Sequence, residues 1–207
     1  MQEHKHPAES VKKVVRFDTQ EHKDLAEMMQ KAGRLLMLPL EEAMTFVNAP
    51  VYGLTEDVCG MQKVSHVYIS EHSMKLEYYS PRYGKHPKIY KELNFLVSSH
   101  IVEPEIPLER RAKMSSSHHQ LSAWILVGDL TEEERHHQVF VAKDAVFTID
   151  GKRFKGNVTY YTAPVCYSGF VLFHEDICVQ GEALGPSVDE LIQILESLHV
   201  LNGKAVE

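Results

Sequence analysis

The spacing of apolar residues predicts helices near both ends of this chain and strands between them. In the front segment Asp18 is placed to cap a helix, and apolar residues recur at helical spacing from there as far as Leu36. Pro39 ends that helix. Because proline suits the first turn of a helix, Pro39 also starts a second, shorter helix that Pro50 stops.

Two runs of alternating apolar and polar residues follow and predict a hairpin that turns near His72. We expect Ile69 to pair with Leu76 and Val67 with Tyr78, since this register puts the apolar side chains of both strands on one face. The next apolar segment, Ile89 to Val97, fits a helix face and a buried strand equally well.

The pattern of roughly the last 85 residues predicts further strands closed by a helix. Asp150 and Gly151 suit the tight turn of a hairpin, which sets Phe147 opposite Phe154. Ser187 is placed to cap the closing helix. The predicted strands here are 121–127, 139–141, 158–162, 167–173 and 177–180, and the apolar stripe of the helix is Val188, Leu191, Ile192, Leu195 and Leu198.

This order of elements predicts an α+β fold with a mainly antiparallel, curved sheet, N-terminal helices and a C-terminal amphipathic helix. Residues 1–10 have no periodic pattern, and we expect them to form a flexible N-terminal arm. We find no linker-like stretch after them, so residues 11–207 are predicted to be a single domain.

The amino-acid composition argues against several classes of protein. The chain has 207 residues, of which 43% are hydrophobic and 25% charged, as in ordinary globular proteins. Its net charge of −7 argues against a nucleic-acid binder, which would concentrate Lys and Arg. No apolar run is long enough to span a membrane or act as a signal peptide. Three cysteines without paired spacing favour a reducing, cytoplasmic setting.

Several segments resemble the small α+β domain of unknown function that occurs in bacterial anti-sigma-factor-like and sporulation-lipoprotein-like proteins. The segments that carry the resemblance are Glu41-Glu42-Ala43, Pro50-Val51-Tyr52, Tyr78-Tyr79, Phe154-Lys155-Gly156, 169–173 and 187–198. The resemblance implies a non-enzymatic sensing or partner-binding domain over roughly Leu40 to Leu198. This chain departs from the group because members usually follow a signal or membrane anchor, and the sequence shows neither.

Basic residues and tyrosines offer one candidate binding site, for a protein partner or a small anionic or apolar ligand. Its predicted members are Tyr78, Arg82, Tyr83, Arg110 and Arg111. Alternatively, these basic residues are ordinary charged side chains of surface loops, in contact with solvent. The late strands are also rich in aromatic residues, half of which should face the core, leaving the other half to line a sheet surface.

Thirteen histidines raise a second hypothesis, that of a metal-dependent, hydrolase-like enzyme. Zinc or a similar divalent metal would be held by one histidine of each adjacent pair together with His174, with Glu175 as general base. The adjacent pairs are His118-His119 and His136-His137. Polar loop histidines and ordinary turn residues explain the same pattern without a metal.

Cys166 and Cys178 lie in strand patterns that favour packing as small hydrophobes over nucleophilic catalysis. We therefore expect a non-catalytic binding or regulatory protein without a cofactor, which presents an aromatic-lined sheet surface with a basic rim. A homodimer is compatible with this expectation. The metal enzyme is the alternative, and it requires three of its ligands to converge around one ion.

Overall fold

The computed structural model describes residues 20, 24, 27, 36–37, 39–47, 49–61, 64–69, 74–83, 94–101, 139–161 and 166–203. The chain is of the predicted α+β class, with its strands in antiparallel sheets. Two helices have described bounds, α1 (Leu40–Phe46) and α2 (Val188–Glu196). The strands are β1 (Leu36–Met37), β2 (Tyr52–Leu54), β3 (Val64–Ile69), β4 (Met74–Tyr78), β5 (Phe95–Ile101), β6 (Val139–Ile149), β7 (Lys152–Tyr161), β8 (Tyr167–His174), β9 (Ile177–Leu184) and β10 (Leu198–Val200).

Eight strands form the main sheet, in the order β1-β3-β4-β5-β9-β8-β7-β6, while β10 and β2 form a separate two-stranded sheet. Within the described part of the chain, β1 and β6 are therefore the edges of the main sheet. Strand β8 lies inside the sheet and is buried along nearly its whole length. This central position explains why its sequence is apolar on both faces.

One face of the main sheet, which we call the inner face, packs against both helices and the small sheet. The alternation of buried and half-buried residues along β4 and β9 follows from this one-sided packing. The core between the layers includes Leu76, Phe95, Phe154, Phe170 and Leu195. The phenyl rings of Phe95 and Phe170 stack with their centroids 5.8 Å apart.

The opposite side, which we call the second face, carries a smaller buried cluster of Val171, Phe173 and Cys178. These residues alternate with inner-face residues along β8 and β9, so aromatic side chains of β8 lie on both sides of the sheet. The expectation that half of the late aromatic residues face away from the main core holds for Tyr167 and Phe173.

The helix predicted to close the fold is present, and its N-terminus has the predicted capping box. The Glu190 backbone N–H donates to Ser187 Oγ at 3.3 Å, and the Ser187 N–H donates to the Glu190 carboxylate at 2.9 Å. The helix ends earlier than its apolar stripe predicts. Leu198 lies in β10 and pairs with Leu54, because a backbone ladder to β2 replaces the last helical turn.

Further local predictions are resolved, are corrected or lie outside the described residues. Leu36, predicted at the end of the first helix, is in β1, where it pairs with Ile69 of β3. Of that helix the structure describes Gln20, Asp24 and Glu27, which are helical. The ambiguous segment is a strand from Phe95 onward. The predicted strand 121–127 lies outside the described residues.

Neither of the two described helices has the length and apolar character that crossing a membrane requires.

Candidate functional site

Two of the predicted site residues, Arg82 and Tyr83, lie in a turn directly after β4, beside the N-terminal half of α2. Arg82 Nη2 is 2.6 Å from the Glu190 carboxylate, and the guanidinium lies 5.6 Å from the centroid of the Tyr83 ring. Tyr83 also packs closely on Gly185, which precedes α2. These contacts hold the turn against the helix.

Cys59 and Gln193 complete this group, which we call the corner cluster: Cys59, Arg82, Tyr83, Glu190 and Gln193. Cys59 Sγ is 3.4 Å from Gln193 Oε1. The thiol reaches the helix because Cys59 and Gly60 both adopt positive φ angles, 54° and 76°, in the tight turn between Val58 and Met61.

The electrostatics of the corner cluster do not suit acid–base chemistry near neutral pH. Burial and the nearby Glu190 carboxylate raise the pKa values of the Cys59 thiol and the Tyr83 hydroxyl. Hydrogen bonds from Ser187 lower the pKa of Glu190. A general acid or base works best with a pKa near the working pH, and these shifts move all three groups further from neutrality.

Tyr78 is placed apart from the corner cluster. It is 1% exposed and belongs to the core, where its hydroxyl oxygen accepts the Leu54 backbone N–H at 2.9 Å. Its place in the fold is to join the inner face of the sheet to β2. Arg110 and Arg111, the other predicted members of the binding site, lie outside the described residues.

For the metal hypothesis the structure describes two of the named residues. His174 ends β8, with Nδ1 donating to the Arg153 backbone carbonyl at 3.1 Å, and Glu175 follows in the turn with a φ of 52°. His118, His119, His136 and His137 lie outside the described residues. The described residues bring no three His, Cys, Asp or Glu side chains together in an arrangement that could hold a metal ion.

A second polar contact lies at the tip of the β6–β7 hairpin. Nδ1 of His199 donates to the Asp150 carboxylate at 3.1 Å, and the Val200 backbone N–H donates to its other oxygen at 3.3 Å. These hydrogen bonds lower the pKa of Asp150. They tie the hairpin turn to β10 and so attach the main sheet to the small one.

An exposed surface with two basic side chains lies on the second face, along the same hairpin. Val146 pairs with Lys155, and Thr148 pairs with Arg153, across β6 and β7. All four residues are exposed, and Val146 is 44% exposed, one of three large apolar residues so exposed in the described part. We call these four residues the β6–β7 patch.

The two cations of the β6–β7 patch differ from Arg82 in their charge partners. Among the described residues neither Arg153 nor Lys155 forms an ion pair, whereas Arg82 is already held by Glu190. Lys155 lies opposite Phe173 of β8, so the patch continues into the buried cluster of the second face.

The position of the β6–β7 patch could have been derived from the sequence. The Asp150-Gly151 turn fixes the register that sets Phe147 opposite Phe154 on the inner face, and the intervening residues must then pair on the other face. Their exposure could not be derived in this way, because it depends on β6 lying at the edge of the sheet.

No family model matches this chain, and no match was found among curated proteins. The resemblance to the anti-sigma-factor-like and sporulation-lipoprotein-like domain therefore stays a prediction.

Proposed function

We propose that this chain is a non-catalytic binding protein that presents the β6–β7 patch to a protein partner. The observation that carries the proposal is the cross-strand pairing of exposed Val146 and Thr148 with exposed Lys155 and Arg153, two cations without an ion-pair partner among the described residues. Phe173 of β8 lies beside Lys155, which supports an aromatic neighbour for this surface, although Lys155 and Arg153 are not the cations that the sequence analysis names.

A protein partner suits this surface better than a small molecule. Small-molecule sites are concave and enclose most of the ligand surface, whereas an exposed hairpin offers its side chains from one side only. The patch places two charged side chains of β7 beside two uncharged side chains of β6. This mixture matches the mixed character of transient protein interfaces.

The corner cluster supports a binding role for the chain over a catalytic one. Its nucleophile is a thiol with a raised pKa, its hydroxyl has a raised pKa, and its carboxylate has a lowered pKa. A thiol with a raised pKa is a poor nucleophile at neutral pH because the thiolate is the reactive form.

We also propose that the protein acts in the cytoplasm of a bacterium as a regulator of the partner it binds. Cys59, Cys166 and Cys178 are free cysteines in the structure. Free thiols suit a reducing compartment, which supports the cytoplasmic part of this proposal.

The test is a peptide-display selection on the wild type and on two charge-reversed variants. Lys155→Glu changes the patch, while Lys75→Glu makes the same change on β4, separated from β7 by three strands. We expect peptides that bind the wild type and Lys75→Glu but are lost on Lys155→Glu. Peptides that bind all three proteins equally, or the absence of any enriched peptide, would contradict the proposal.

A further inference from the structure

The edge of the main sheet at β6 offers backbone groups as well as side chains. Ile149 and Lys152 flank the two-residue turn of the hairpin, so they form a hydrogen-bonded pair. Alternation along the ladder then makes Val146 and Thr148 members of non-hydrogen-bonded pairs. Their N–H and C=O groups consequently point away from β7, toward the edge where no further strand pairs with β6 among the described residues.

The regular part of this edge runs from Ala145 to Ile149. The register shifts between Ala142 and Ala145, where Asp144 has a φ of 57°, and such a bulge interrupts regular pairing. Five residues of strand span about 17 Å, which is enough for one short extended segment. Bulges and charges protect natural sheet edges, and the segment beyond this bulge has an exposed valine instead.

Charge complementarity selects the occupant of this edge. A strand added beside β6 would lie about 10 Å from β7, since neighbouring strands are about 4.8 Å apart. The long side chains of Lys155 and Arg153 can reach across Val146 and Thr148 toward that strand. Because neither cation has an ion-pair partner among the described residues, acidic side chains on the added strand would find unoccupied counterions.

We propose that the bound segment is an extended, acidic peptide that adds to β6 as a further strand of the sheet, so that Val146 and Thr148 supply backbone hydrogen bonds and Lys155 and Arg153 supply the charge. The proposal rests on the proposed function, because it names the partner of the same patch. Edge-strand addition of this kind gives affinity through main-chain hydrogen bonds and specificity through the side chains.

The experiment uses a capped, labelled peptide of alternating Glu and Thr, about nine residues long, which we call the acidic peptide. Binding is measured by fluorescence anisotropy, and amide hydrogen exchange of the full chain is followed by NMR with and without the peptide. We expect the acidic peptide to bind and the amides of Val146 and Thr148 to exchange at least tenfold more slowly when it is bound, roughly the effect of one protected hydrogen bond.

A pair of variants separates backbone from side-chain effects. Val146→Pro removes the outward N–H, and we expect roughly tenfold weaker binding. Val146→Thr keeps that N–H and a β-branched side chain, and we expect near wild-type binding. Thermal unfolding of both variants checks that the fold is intact, and the exchange experiment on the wild type does not depend on either of them.

Three outcomes would overturn the inference. If the acidic peptide binds through Lys155 but leaves the Val146 and Thr148 amides unprotected, strand addition is wrong while the proposed function stands. If it fails to bind although the display selection yields patch-dependent peptides, the acidic class is wrong. If the same amides become protected without peptide as protein concentration rises, the occupant is a second copy of this chain.

Discussion

Val146 and Lys155 lie directly opposite each other on the second face of the β6–β7 hairpin, both exposed, with buried Phe173 as the next residue across the sheet. Cross-strand neighbours in non-hydrogen-bonded pairs have their side chains especially close. The aliphatic part of Lys155 is thus placed to lie along an apolar strip while its ammonium group stays in water.

Removing the hydroxyl group from each of two buried tyrosines should change the free energy of unfolding in different ways. Tyr52 is 0% exposed and its hydroxyl has no hydrogen-bond partner in the described part of the chain, whereas the Tyr78 hydroxyl accepts the Leu54 N–H. Tyr52→Phe should leave the free energy of unfolding unchanged or raise it by up to about 1 kcal/mol, because an unpaired buried hydroxyl is removed.

Tyr78→Phe is the matched variant and should lower the free energy of unfolding by about 1–2 kcal/mol, because it leaves a buried N–H without an acceptor. Urea denaturation of both variants measures the difference. Equal destabilisation by the two changes would contradict the hydrogen bonding described for this core. Burial raises the pKa of each tyrosine to about 12, so neither should ionise in an ultraviolet titration below about pH 11.

The Asp150 contact to His199 and Val200 predicts a loss of stability in acid. Hydrogen bonding to His199 lowers the pKa of Asp150 in the folded state, so its contribution is present above the unfolded-state pKa and is lost as pH falls through the folded value. Because the carboxylate is 37% exposed and screened by solvent, this contribution is about 0.5 kcal/mol or less.

Asp150→Asn tests this effect while keeping a residue that tolerates the positive φ of 49° in the turn. By urea denaturation the variant should be less stable than the wild type at about pH 6, and the difference should be smaller at about pH 2.5. Asp144→Asn, at another exposed carboxylate, is the control. A difference between wild type and Asp150→Asn that is the same at both pH values would count against the electrostatic origin.

The contacts of the corner cluster predict that the Cys59 thiol reacts slowly with alkylating reagents. Burial and Glu190 raise the pKa of Cys59, so it should react with iodoacetamide at neutral pH more slowly than a free cysteine. Glu190→Gln removes the carboxylate that raises this pKa and frees the Arg82 guanidinium, which lowers it, so the reaction should become faster. Mass spectrometry of each cysteine gives the rates, with Cys166 as the internal control.

An unchanged rate at Cys59 in Glu190→Gln would show that the carboxylate does not control the thiol. A faster rate at Cys166 as well would indicate a general loosening of the fold instead of the local effect expected here.

Local sequence signals predicted the C-terminal half of the fold more accurately than the front. The Asp150-Gly151 turn fixes a hairpin by itself, and the pairing of Phe147 with Phe154 is confirmed. The register of β3 and β4 was predicted two residues away from the observed one, in which Val67 pairs with Leu76. A shift of two residues keeps every side chain on its face, so alternation cannot detect it.

The pairing of β10 with β2 could not be read from the sequence, since it joins residues far apart in the chain and gives neither segment a local period. The contacts within the candidate site could not be read from the sequence either. Arg82 and Tyr83 are predicted from their residue types, but the contact of Arg82 with Glu190 and that of Tyr83 with Gly185 depend on the tertiary fold.

Charge reversal of the β6–β7 patch tests the central claim most directly. The wild type is compared with the double variant Arg153→Glu/Lys155→Glu and with Lys75→Glu for binding to the acidic peptide and to a counterpart in which Lys replaces Glu. We predict that the wild type and Lys75→Glu prefer the acidic peptide and that the double variant prefers the basic one. The same preference in all three proteins would contradict the claim that this patch binds the partner.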